Sequence, residues 1–151
     1  MGFGLPSAIG AQFARPDKLV FAVVGDGGFQ MSLPELATIV NHGLPIKIVV
    51  MNNGYLGMIR QWQELFYNNR VCQARLDSFP DAAQLAGAYG FQGRTVEKPQ
   101  ELAPALEEAV HENGPYLLNV RVSPFENVYP MVPAGGAINE MVLGPPQPVE
   151  A

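Results

Sequence analysis

Leu19-Val20-Phe21-Ala22-Val23-Val24-Gly25-Asp26-Gly27-Gly28 is a short apolar run that stops on an aspartate set among glycines. Six apolar residues without polar alternation read as a strand buried on both faces, as in a parallel sheet. The same pattern returns at Ile46-Lys47-Ile48-Val49-Val50-Met51-Asn52-Asn53-Gly54. Asp26 and Asn53 lie 27 positions apart, room for a turn, a helix, a loop and a strand. That is one βαβ crossover, which returns the chain parallel beside its start. Both polar tips then fall at the carboxyl-end edge of one sheet, where open α/β proteins bind their ligands.

Outward from this unit the alternation continues. Leu5 to Ala14 reads as a helix of small residues ended by Arg15-Pro16-Asp17. After the Gly27-Gly28 turn, Ser32-Leu33-Pro34-Glu35 has the spacing of a capping box and opens a helix that stops at Asn41-His42-Gly43. Leu56 to Phe66 and Asp81 to Tyr89 read as helices, Arg94 to Val96 as a short strand, Glu101 to His111 as a helix and Tyr116 to Val122 as a strand. The fold class is therefore α/β, a parallel sheet flanked by helices over residues 1–122. Residues 123–151 carry six of the 14 prolines but keep Val128, Tyr129, Met131, Ile138, Met141 and Val142, which suits an extended C-terminal arm packed on a surface.

Bulk properties narrow the partners. The 151 residues are 48% hydrophobic and 15% charged, with a formal net charge of -5, and no apolar run approaches a membrane span. This balance argues against nucleic acid and anionic membrane as partners. An anionic ligand needs local neutralisation by a metal or by helix N-termini. Cys72, the single cysteine, excludes an internal disulfide and fits a reducing cytoplasm, and no signal peptide is visible.

One carboxylate and one carboxamide converging at adjacent strand ends supply hard oxygen ligands for magnesium holding a diphosphate. Gly27 and Gly28 allow close backbone approach, and N–H groups near Leu56 and Gly57 suit phosphate at a helix N-terminus. Taken singly, Gly-Asp-Gly is ordinary turn chemistry and Asn53-Gly54 a hairpin signal. Their occurrence at successive strand ends favours the metal–diphosphate reading. A dinucleotide fold is disfavoured, since no G-x-G-x-x-G is complete and no Walker motif is present. His42 and His111 each fall in the last turn of a helix, where a donor suits the carbonyl end. Glu107, Glu108 and Glu112 read as a solvated helix face.

Gly25-Asp26-Gly27, followed after 24 residues by Asn52-Asn53, resembles the thiamin-diphosphate motif of the ThDP-dependent enzymes. Met1-Gly2-Phe3-Gly4-Leu5-Pro6, Gly57-Met58-Ile59-Arg60-Gln61-Trp62-Gln63 and Tyr129-Pro130-Met131-Val132-Pro133 are similar to the acetolactate synthase catalytic large subunit, and the resemblance runs over essentially the whole chain. It implies the ThDP-binding domain fold, with Asp26, Asn53 and the Tyr55 carbonyl on Mg2+. Gly25, Gly27, Gly28, Leu56 and Gly57 would surround the diphosphate of thiamin diphosphate. Met1 would be the apolar wedge under the bent cofactor, Met58 a further cofactor contact, and Trp62 part of the pocket for the second substrate. Ala134 would lie on an arm folding over the active site.

The implied reaction decarboxylates pyruvate and joins the hydroxyethyl group to a second 2-ketoacid, pyruvate or 2-ketobutyrate, in branched-chain amino acid biosynthesis. Small-molecule 2-ketoacids, a homodimer or higher oligomer and a regulatory small subunit are the implied partners. The family's N-terminal domain, with its activating glutamate, and its FAD-binding domain have no counterpart in these residues. No catalytic acid or base is therefore assigned here, the chain reads as the C-terminal part of a longer subunit, and alone it is expected to be inactive. Glyoxylate carboligase, pyruvate oxidase or a non-catalytic assembly module are the alternatives.

Overall fold

In the computed structural model, which describes residues 1–145, four parallel strands form one sheet in the order β1-β2-β4-β3. The chain runs α1 (Gly4–Ala14), β1 (Phe21–Gly25), α2 (Asp26–Gln30), α3 (Glu35–Asn41), β2 (Lys47–Asn52), α4 (Gly57–Phe66), α5 (Ala82–Ala88), β3 (Gln92–Val96), α6 (Leu102–His111) and β4 (Tyr116–Arg121). Short 3-10 turns cover Pro99–Glu101 and Ile138–Glu140. Gly25 of β1 lies opposite Met51 of β2, so the two strands end side by side. Among the described residues, no helix is long and apolar enough to cross a membrane.

The side-chain alternation of the strands sorts the core into two layers. Ala22, Ile48, Val50 and Leu117 point to one face and pack with Leu5, Ile9, Phe29, Leu36, Ile39 and Ala86 from the helices on that side. Val49, Leu118 and Val120 point to the other and pack against Ala105 and Ala109 of α6. Lys47 is buried among them. Its Nζ donates to the carbonyls of Glu112 (2.7 Å) and Gly114 (2.5 Å) where α6 ends, which satisfies the ammonium and the helix carbonyls together.

Three sequence expectations need correction. β1 is not buried on both faces: Val23 is 65% exposed and Phe21 41%, because α6 covers β3 and β4 but does not extend to this edge strand. Gly27-Gly28 is helical and not a turn, since α2 begins directly at Asp26. The capping box at Ser32 does not form. The Ser32 hydroxyl donates back to the Gly28 and Phe29 carbonyls, and α3 starts after Pro34 without a side-chain cap. With α2 ending immediately upstream, that hydroxyl already has local acceptors.

Of the α6 glutamates, Glu107 is exposed as expected, while Glu108 also bonds neighbouring side chains. Glu108 accepts from the Tyr116 hydroxyl at 2.7 Å and from Arg94 at 3.0 Å, and these two bonds hold its carboxyl below the ordinary range. His111 does close α6, and His42 follows α3 with its ring 5.2 Å from that of Phe13.

After Arg121 the chain leaves the sheet and docks along α4. Gln61, buried, donates to the Val128 carbonyl (2.9 Å) and accepts from the Val128 N–H (2.8 Å). Arg60, also buried, pairs with Glu64 and bonds the side chain of Asn127. Met131 is buried and forms an antiparallel bridge with Val142. Residues 146–151 of the expected arm lie outside the described residues.

Candidate functional site

Because β1 and β2 end side by side, the segments leaving them bound one cleft of about 510 Å3. Met1, Gly25, Asp26, Gly27, Gly28, Asn53, Tyr55, Leu56, Gly57 and Met58, all singled out from sequence, line it together. Gly2, Phe3, Gly4, Val23, Val24, Met51 and Ile59 complete the wall and were not singled out one by one. They are apolar or small residues with no chemical signal of their own, and only the strand register and the approach of α1 bring them there.

Asp26 is 2% exposed. Its Oδ1 accepts from the Gly27 N–H and its Oδ2 from the Gly54 N–H, each at 2.8 Å. Burial raises its carboxyl above the usual carboxylate range, and the backbone N–H bonds pull the other way. Among the described residues no ion pair includes Asp26. A buried carboxylate so fixed favours a cation, whose approach would relieve the desolvation that raises it.

Asn53, half-buried, turns its Oδ1 to the Tyr55 N–H at 3.0 Å and sets its Nδ2 against Gly57. A Cβ on Gly57 would come within 3.1 Å of that nitrogen. No backbone N–H among the described residues donates to the Tyr55 carbonyl, which leaves that oxygen available. Among the described residues, no three His, Cys, Asp or Glu side chains gather to bind a metal. Asp26, Asn53 and a carbonyl make a partial oxygen set, one that suits magnesium only if the ligand brings oxygens of its own. The donor set therefore fits a cation carried with a phosphate.

Two glycines form the floor. A Cβ on Gly27 would lie 2.7 Å from Leu56 Cδ2 and 3.1 Å from Met1 Cε, and one on Gly28 would touch the Gly2 nitrogen at 3.7 Å. α4 enters the cleft by its N-terminus, with no side-chain cap on its first turn. These N–H groups, uncapped by any side chain among the described residues, and the helix dipole suit an anion. Trp62 lies one turn further along α4 and does not line this cleft. It borders a neighbouring hollow of about 410 Å3, and Met58 and Ile59 form the wall between the two.

What fold and site define is a parallel α/β domain with a buried carboxylate and an uncapped helix N-terminus in one cleft. Residues 1–120 match the family described as thiamine pyrophosphate enzyme, C-terminal TPP binding domain. The chain belongs to this family. It is 44% identical over 142 residues to the acetolactate synthase isozyme 2 large subunit of Escherichia coli (strain K12), covering 94% of this chain and 26% of that protein. It is 47% identical over 142 residues to the acetolactate synthase large subunit of Lactococcus lactis subsp. lactis (strain IL1403), covering 94% and 24%. Among solved structures it is similar to the Rhodococcus jostii RHA1 thiamine diphosphate-dependent 4-hydroxybenzoylformate decarboxylase, with a TM-score of 0.74 and 29% identity over 84% of this chain and 24% of that one. The chain thus spans about a quarter of the length of these curated relatives.

Proposed function

We propose that this chain is the ThDP- and Mg2+-holding C-terminal part of an acetolactate synthase large subunit. The observation that carries the reading is the Asp26 carboxylate, buried, in no ion pair among the described residues, and fixed through both oxygens beside Asn53. In this reading Asp26, Asn53 and the Tyr55 carbonyl hold magnesium. Gly27, Gly28, Leu56 and Gly57 bring backbone close to the diphosphate, and Gly25 ends β1 at the cleft. Met1 and Met58 supply apolar contacts to the rings. Trp62 borders the place of the second substrate.

The bound cofactor would supply the electron sink that 2-ketoacid decarboxylation requires. This chain's part is to hold, orient and keep dry. None of its residues is given an acid–base role, which falls to a glutamate in the N-terminal domain of the longer subunit. Identities of 44–47% to synthase large subunits, against 29% to the decarboxylase, favour joining two 2-ketoacids over the alternative reactions. FAD in the longer subunit, a homo-oligomer, a small-subunit partner like that which "large subunit" implies for the relatives, and a cytoplasmic setting belong to the same reading.

Calorimetry of the 151-residue chain with ThDP tests the proposal. Binding is expected with Mg2+ and not without it, and Asp26→Asn should weaken it about tenfold or more. Metal-independent binding, or an Asp26→Asn variant equal to the parent, would overturn it.

A further inference from the structure

A single line of hydrogen bonds crosses the whole sheet and ends on Asp26. Thr95 of β3 accepts from Asn119 Nδ2 of β4 at 3.2 Å. Asn119 Oδ1 accepts from Asn52 Nδ2 of β2 at 2.9 Å. Asn52 Oδ1 accepts from the Gly54 N–H at 3.1 Å, and that same N–H donates to Asp26 Oδ2 at 2.8 Å. The order of residues follows the spatial order of the strands, β3-β4-β2-β1.

Register makes this line possible. Thr95 lies opposite Asn119, and Asn119 lies opposite Val50, two residues before Asn52. All three polar side chains therefore stand on the face that otherwise carries Ile48, Val50 and Leu117. Asn52 is 1% exposed and Asn119 5%, so each carries a desolvation cost that an apolar residue would avoid. Arg121 adds a bond to Asn52 Oδ1 at 3.1 Å and fixes the amide from the other side. Only the last step of the line touches the cleft.

We propose that Asn119, acting through Asn52 and the Gly54 N–H, is a positioning residue for the Asp26 carboxylate, and that it sets the affinity of the cleft for its divalent cation. The inference rests on the function proposed above. Asn52 anchors the loop after β2 by gripping Gly54, and the grip depends on the orientation of the Asn52 amide. Asn119 holds that orientation from the nitrogen side, because its carbonyl oxygen accepts only if Asn52 presents its nitrogen, while Arg121 holds it from the oxygen side. An inverted Asn52 amide would turn an N–H toward the Gly54 N–H and release the loop. The Asp26 carboxylate would then lose one of its two fixed donors and the geometry in which it meets a cation.

Two variants of the full chain test this. Asn119→Leu removes the acceptor at similar volume, whereas Asn119→Asp keeps an acceptor toward Asn52. Amide exchange by NMR, without metal or cofactor, reads the relay itself. Asn119→Leu should speed Gly54 exchange about tenfold while the Ala105 amide on the opposite layer is unchanged, and Asn119→Asp should retain protection. Calorimetry with ThDP then reads the consequence: the Mg2+ requirement of Asn119→Leu should rise about tenfold, and Asn119→Asp should stay near the parent. Unchanged Gly54 exchange in Asn119→Leu overturns the relay whether or not the cofactor binds. Faster exchange with an unaltered Mg2+ requirement overturns the positioning role. Absence of Mg2+-dependent ThDP binding in the parent overturns the proposed function, and with it the role toward a cation, while the exchange result still decides the relay.

Discussion

Two glycines show how differently one atom weighs at different places. A Cβ on Gly27 comes nearest the ends of Leu56, Met1 and Leu76, flexible side chains that can rotate aside. Gly27→Ala is therefore expected to leave thermal stability within about 1 kcal/mol of the parent and to reduce ThDP binding, measured by denaturation and calorimetry side by side. A Cβ on Gly93 meets the Ala82 carbonyl at 2.7 Å and Ala86 Cβ at 2.8 Å, where backbone cannot yield. Gly93→Ala should destabilise by about 1–3 kcal/mol. Tyr116 gives a pH prediction. Burial, with the Glu108 carboxylate on its hydroxyl, pushes the phenol from 10.0 up to about 12. Above pH 10 the unfolded chain releases this proton while the folded chain keeps it, so stability should fall from there to about 12. Tyr116→Phe should flatten that limb of a denaturation series. Asp26 and Asn53 were legible in sequence because strand ends and glycines announce themselves locally. Asn119 was not, since its partner Asn52 is 67 positions away and nothing local marks it.

Among the elements, the strands and helices follow from apolar runs and breakers to within a residue or two at most boundaries, for example Gly57–Phe66 against the expected 56–66. What sequence did not disclose was how neighbouring elements share groups. Ser32 has the spacing of a cap, yet its hydroxyl turns back to α2. The arm shows the same limit, for its prolines announce extended chain but not the buried Gln61 that holds it. Gln61→Leu leaves the Val128 N–H and carbonyl without partners, at a cost of about 1–3 kcal/mol. Faster protease cleavage between Ser123 and Pro145 is expected, with the sheet core still resistant. Equal cleavage rates in parent and variant would show that Gln61 does not secure the arm.

At the scale of the whole molecule, apolar composition did not reveal which apolar surface the fold covers. The outer face of β1 exposes Phe21 and Val23, and Phe3 and Met31 are exposed as well, at 79% and 62%. The α/β architecture itself was plain, because two strand-to-helix junctions at one crossover spacing leave few other topologies. Joint binding of cation and cofactor should also stabilise the chain as a whole. Saturation a hundredfold above the dissociation constant corresponds to about 2.7 kcal/mol, or a rise in Tm of about 5–10 °C, with either component alone giving little. A divalent cation seated between the ends of β1 and β2 should show itself by paramagnetic broadening. With Mn2+ in place of Mg2+ and ThDP present, the amide signals of Gly27, Gly54 and Gly57 should vanish first. Broadening centred instead on the glutamates of α6, or none at all under saturating ThDP, would mean that no cation binds there.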